Sequence, residues 1–486
     1  MSAAAPTLTG LAHGRLRIPA AAFEVLAYLV IVSGASLAFL AGWLSVNGAV
    51  VLTVLLLGSL IVLSWINLGQ GRHPVFLFLC TLMFFQGGRL LAYCLGADVD
   101  PMHVEMMQVD TPFSIGNQNS GIVLLCLCLS AICIYAPCRW KFASYPPPST
   151  TSAQKYLPYL YLLFFLTIPF QLYRNYAYFE WIQQHGGYFS LFQRHEELAS
   201  SVPLIVRAVP LISFPAFIAI FVFEHRRNAI YLVTAMYLAS ASLLLFFGSR
   251  MAFFRLILTL WYVARVKSSR KPRIVLFALF LLSLILVADV IGQFRENSDE
   301  PLSYSFLPVT FLAVQGQSLD VTSVAVAYRS YFQPYIWRYL ANDLQNAFVA
   351  IDTAHYSRGR ELGFDIPVLL NVQLFREGIG TGSSYIGEAY LLGGIVGVAG
   401  ISLLIGFGLQ YLYTLSRGIL ALCLVALTLP EVLFAPRGTL LDWVSALFRN
   451  VISIALMWAG WKLYNLLYLQ RTHPVGEGLS PRVGQP

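Results

Sequence analysis

Charge is scarce in this chain: of 486 residues only 11% are Asp, Glu, Lys or Arg, whereas 58% are hydrophobic. A soluble globule needs about a quarter of its residues charged, so that class is excluded. Polar stretches long enough for a separate soluble domain are missing as well, which leaves a single membrane domain over residues 1–486. No P-loop, HExxH, GxSxG or grouped histidine ligands occur, and this disfavours ATP hydrolysis, zinc chemistry and a serine hydrolase. The eight histidines are scattered, and His185, His195 and His355 are either proton carriers or ordinary loop residues. Seven cysteines lie mostly in apolar runs without a CxxC pair and read as small buried hydrophobes. Internal repeats are not evident, and no nucleic-acid partner is expected.

What is present is a succession of apolar runs of about 20 residues, the length that crosses a bilayer as a helix. They predict an all-α polytopic membrane protein with spans at 21–41, 49–68, 74–95, 120–137, 155–173, 203–223, 229–247, 251–266, 274–291, 385–413, 418–434 and 441–465, twelve in all. His13, Arg15 and Arg17 precede the first, which reads as a retained signal anchor. Basic groups at Arg139–Lys141, His225–Arg227, Lys267–Arg273 and Arg417 fall at alternate ends, predicting cytoplasmic termini and a cytoplasmic tail at 466–486.

Lysine is as telling by its distribution. Lys141, Lys155, Lys267, Lys271 and Lys462 are the only lysines, all on the predicted inner side. The outer side carries arginine instead: Arg174, Arg194, Arg250, Arg437, and Arg295, Arg329, Arg338, Arg358, Arg360 and Arg376 in a large predicted loop at 292–384. Guanidinium suits bidentate recognition of phosphate or carboxylate. Pairing with loop acids such as Glu180, Glu196, Glu197, Glu296 and Asp343 is the alternative. The loop is too long to be idle and should carry helices, with Val321–Tyr331 and Trp337–Tyr356 as candidates. Aromatics from Tyr173 to Tyr188 either stack on sugars or rest at the membrane interface. Asp98 and Asp100 are weak candidates for a divalent ion.

The stretch Gly380–Gly394, GTGSSYIGEAYLLGG, puts Glu388 in the first turns of an apolar segment. An ionisable group there is a functional candidate, because its burial is expensive. The predicted topology brings Glu388, Arg250 and Arg437 to one face. An acid and two arginines so placed can deprotonate a hydroxyl and hold a departing diphosphate; a buried Arg–Glu packing pair is the plainer reading.

These residues resemble the Wzy-type O-antigen polymerases. The matching pieces are Gly248-Ser249-Arg250, Ile291-Gly-Gln293-Phe-Arg295, Phe311 to Ser318 with Gln315, Gly380 to Tyr390 with Ser384 and Glu388, Gly393-Gly394, and Pro436-Arg437-Gly438. The resemblance implies a GT-C-like glycosyltransferase of the bacterial inner membrane, its active site facing the periplasm. It would transfer an undecaprenyl-diphosphate-linked glycan onto another lipid-linked repeat unit, with no cofactor and no metal. It leaves room for a chain-length co-polymerase as partner. Arg250 and Arg437 would grip the donor diphosphate and Glu388 would act as base or positioner. Gln315, Ser318, Ser384, Tyr385, Arg295, Arg329 and Arg376 would bind substrate. An O-antigen ligase, transferring the glycan to lipid A core, and a lipid-linked oligosaccharide flippase are the alternatives.

Overall fold

Backbone groups in lipid find no water and must bond within their own segment, so the apolar runs become helices. The computed structural model describes residues 17–104, 113–114, 116–140, 143, 146–149, 151–185, 194–246, 250–268, 283, 307–345, 357–376 and 380–472. Apart from one short antiparallel pairing, His103 with Ser114 and Val104 with Phe113, the regular structure described is helical. Among the described residues eight helices are long and apolar enough to cross a membrane, or nine if the bent pair Pro74–Phe85 and Gly88–Cys94 is one span.

Nine of the predicted twelve spans correspond to these helices and the bent pair, and three stand outside the count. The segment 274–291 lies outside the described residues except for Ser283. Segments 229–247 and 251–266 are the helices Arg227–Phe246 and Arg250–Lys267, but the second carries Arg250, Arg255, Arg265 and Lys267. The predicted span 74–95 bends by 68° after Phe85.

At the centre, the helix Tyr385–Leu415 packs along Asn117–Trp140. Gly406 permits the approach: a Cβ there would stand 2.6 Å from the Ile134 carbonyl. The long helix is itself broken, with non-helical backbone at Gly393 and Gly394. Gly394 has φ +60°, which favours glycine. Much of the predicted large loop folds inward. Leu307–Gln315 lies against Gly88–Cys94, and Ser318–Ala327 is buried along nearly its whole length beside Tyr385–Leu415. Ile336–Gln345 packs on the last helix, Asp442–Thr472.

The two ends of the bundle differ. At one, Glu224 is fully buried and accepts from Tyr161 at 2.7 Å, from Arg226 Nη2 at 3.0 Å and from the His225 and Arg226 amides. Burial opposes its ionisation, but these donors win and hold the carboxyl down at about 2. Lys267 Nζ caps the same turn by donating to the Phe221 and Glu224 carbonyls, each at 2.8 Å. Arg139 pairs with Glu24, and Arg72 donates to the Ser268 carbonyl. The site described next is at the other end of these helices.

Candidate functional site

A buried glutamine in the break of the bent helix pair ties the site together. The Gln86 amide nitrogen donates to the Pro436 carbonyl at 2.5 Å, to Ser384 Oγ at 3.1 Å and to the Ser318 carbonyl at 3.2 Å. Its Oε1 accepts from Thr322 Oγ1 at 3.0 Å, and that hydroxyl also meets Ser384 Oγ at 2.9 Å. One side chain thus joins four segments distant in sequence. Nothing near Gln86 in the chain announces this role, since it sits in the middle of an apolar run.

Ser384 is also the N-cap of the long helix, its Oγ accepting from the Gly387 amide. The turn before it is held on two sides. Gly382, at φ +72°, faces the Arg437 carbonyl, and the Thr381 amide and hydroxyl both donate to the Gly363 carbonyl. One helical turn into the segment, Glu388 is fully buried. Its Oε1 accepts from Ser383 Oγ at 2.5 Å and its Oε2 from the Leu440 amide at 2.8 Å. The two bonds lock its orientation and leave accepting capacity on both oxygens.

Arg437 begins the chain segment that reaches Leu440. Its guanidinium donates to Gln315 Oε1 at 2.7 Å and lies 5.6 Å from the Phe85 ring centre. Gln315, Ser318, Ser384, Glu388 and Arg437 are therefore one connected group. The link from Glu388 to the arginine turn runs through the Leu440 amide rather than through a direct Arg–Glu contact.

Of the other predicted residues, those whose side chains are described make no hydrogen bond to this hub. Arg250 opens the helix Arg250–Lys267, and its side chain lies outside what is described. Arg295 is outside the described residues. Arg329 covers the Gly394 break and lies 5.3 Å from the Tyr390 ring centre. Arg376 is exposed at the end of Val372–Arg376. Tyr385 is buried and hydrogen-bonds Ser130. Asp100 is a turn residue, its carboxylate accepting from the Met102 amide at 3.0 Å.

Sequence reading passed over Asp320 and Glu361, and gave Asp343 only as a pairing acid for the loop arginines. Arg89 and Asp320 form a buried ion pair at 2.8 Å. Asp343 is fully buried, and burial pushes its carboxyl well above the ordinary range; the Glu388, Asp442 and Glu361 carboxylates and the Thr439 hydroxyl act on it. Half-buried Glu361 is pushed up to about 7, mainly by burial and then by Asp442, against Arg360. These acids are dispersed along the chain and form no motif. Among the described residues no group of three or more His, Cys, Asp or Glu is arranged to hold a metal ion.

A family model described as O-antigen polysaccharide polymerase Wzy matches residues 23–466. The match includes the first half of the chain, which precedes the pieces Gly248 to Gly438 that carry the resemblance in the sequence. No curated protein and no solved structure matches.

Proposed function

From the premise that the chain belongs to the O-antigen polysaccharide polymerase family, we propose that it is a periplasm-facing glycosyltransferase of the inner membrane. It transfers an undecaprenyl-diphosphate-linked glycan onto a second lipid-linked repeat unit. The observation that carries this reading is the connection of Arg437, Gln315, Ser384 and Glu388 through Gln86 and the Leu440 amide.

In the reaction the acceptor hydroxyl oxygen forms a bond to the donor's anomeric carbon and loses its proton to the Glu388 carboxylate. The bond from that carbon to the diphosphate oxygen breaks, and undecaprenyl diphosphate leaves with the electron pair. Arg437 meets the charge that develops there, with Arg250 as second candidate. Arginine at the leaving group and a base at the nucleophile lower the barrier at opposite ends of one displacement.

The test is turnover of a purified lipid-diphosphate-linked repeat unit, read as a ladder on a gel. Wild type should give a ladder. Glu388→Gln should slow it by about 10²–10⁴-fold, the scale of a lost general base, and Arg437→Ala by about 10²–10³-fold, the scale of a lost charge stabiliser. Both variants should melt as cooperatively as wild type. Transfer by wild type to lipid A core without a ladder would make the protein a ligase, and no transfer at all would overturn the reading.

A further inference from the structure

A cavity of about 600 Å³ lies between the outer arm of the bent pair and the helix Leu307–Gln315. This size is within the range of small-molecule sites, roughly 300–1,000 Å³. Its lining is mixed. Arg89, Asp98, Thr310 and Gln317 border it together with the apolar Val309 and Val314. A pyranose presents the same alternation: hydroxyls around its edge and C–H groups on its faces.

The walls are fixed. A Cβ on Gly88 would stand 2.6 Å from the Leu312 carbonyl, and one on Gly316 would collide with the Arg89 backbone. Arg89 is held by Asp320 and by the His103 carbonyl. Ala92, Val309 and Ala313 form a small buried core beneath the cavity, with Val99 packed on it. The cavity also adjoins the hub. Gln317 stands between Gln315, which holds Arg437, and Ser318, whose carbonyl is bonded to Gln86.

We propose that this cavity is a carbohydrate subsite that holds sugar rings of the acceptor repeat unit while Glu388 and Arg437 act on its neighbour. The assignment rests on the function proposed above. A growing glycan lengthens with every cycle and needs an open-ended path, whereas an acceptor repeat unit has fixed size. A cavity of this limited volume with closely packed walls suits the second.

The experiment fills the cavity with Thr310→Trp and, separately, Val314→Trp, and removes a charged acceptor with Asp98→Asn. Two readouts are taken on full-length protein in detergent: kinetics in the ladder assay, and calorimetric binding of the delipidated repeat-unit oligosaccharide. Wild type should bind the oligosaccharide. Each tryptophan variant should weaken binding and raise KM about tenfold or more while kcat stays within about twofold, and Asp98→Asn should do the same more mildly. Unchanged binding and KM in both tryptophan variants, with melting temperatures like wild type, would overturn the subsite. If wild type makes no ladder yet binds the oligosaccharide and the tryptophan variants do not, the subsite stands and the polymerase reading fails. A fall in kcat alone would place these residues outside sugar binding and overturn the proposal.

Discussion

Asp343 is buried among other acids, and its contribution to stability should fall as pH rises. Neither of its carboxylate oxygens has a hydrogen bond of good geometry, so there is little to offset its desolvation. A carboxyl whose folded-state pKa is raised favours folding below its ordinary pKa and loses that contribution as pH rises toward the folded value. Glu361 acts in the same direction between 4.5 and about 7. Buried His73, held at about 4 against its ordinary 6.5, opposes this below pH 6.5, so the melting temperature of the purified protein should fall as pH rises from 6.5 to 8. Asp343→Asn, neutral at every pH, should flatten that slope and gain on wild type toward pH 8, by about 1 kcal/mol per pH unit as an upper scale. A melting temperature that climbs over this range, or a variant that tracks wild type, would show these carboxyls to be ionised throughout.

At the scale of elements, the broken long helix places Glu388. From Ile395 to Leu415 a helix rising 1.5 Å per residue is about 31 Å long, close to the roughly 30 Å hydrocarbon thickness. A span from Ile395 to Leu415 would put the break at Gly393–Gly394 at the edge of the lipid and the turns bearing Glu388 just beyond it. Gly394 adopts φ +60° and ψ −146°, a backbone region costly for any other residue by about 1–3 kcal/mol. Gly393, at φ −152° and ψ 22°, stays outside the left-handed region and has open space where a Cβ would go. Gly394→Ala should lower both melting temperature and ladder formation, and Gly393→Ala should do much less to either. Equal effects of the two would mean that the break does not set the position of Glu388.

The same comparison shows what the sequence could reveal. Hydropathy marked the long apolar helices and glycine marked the Glu388 turn, because both are local signals. Gln86 and the 68° bend were hidden, since the apolar run continues across Gln86-Gly87-Gly88. Arg437 and Glu388 were legible as members of one face. The bond from Arg437 to Gln315 was not legible, because it joins residues 122 apart. The acids around Asp343 come from different segments and meet only in the folded chain.

Over the whole molecule, the two ends of the bundle carry different chemistry, and this bears on orientation. Glu224, Lys267, Arg139 and Arg72 are engaged at one end, and Gln86, Ser384, Glu388 and Arg437 are gathered at the other. The helix Tyr385–Leu415 starts at the second group and ends beside the first, where the Tyr413 hydroxyl reaches the Ala143 carbonyl. Loops rich in lysine and arginine stay in the cytoplasm, so the Gln86 end should face the periplasm. Native cysteines offer a direct test. Cys94 is exposed near the hub, whereas Cys126, Cys128, Cys133, Cys138 and Cys423 are buried. A membrane-impermeant maleimide should label Cys94 in intact spheroplasts. Arg417→Cys, made in a Cys94→Ser background, should be labelled only after lysis. The reverse pattern would turn the site toward the cytoplasm, where a lipid-linked glycan exported for polymerisation could not reach it, and would remove the topological support for the polymerase reading.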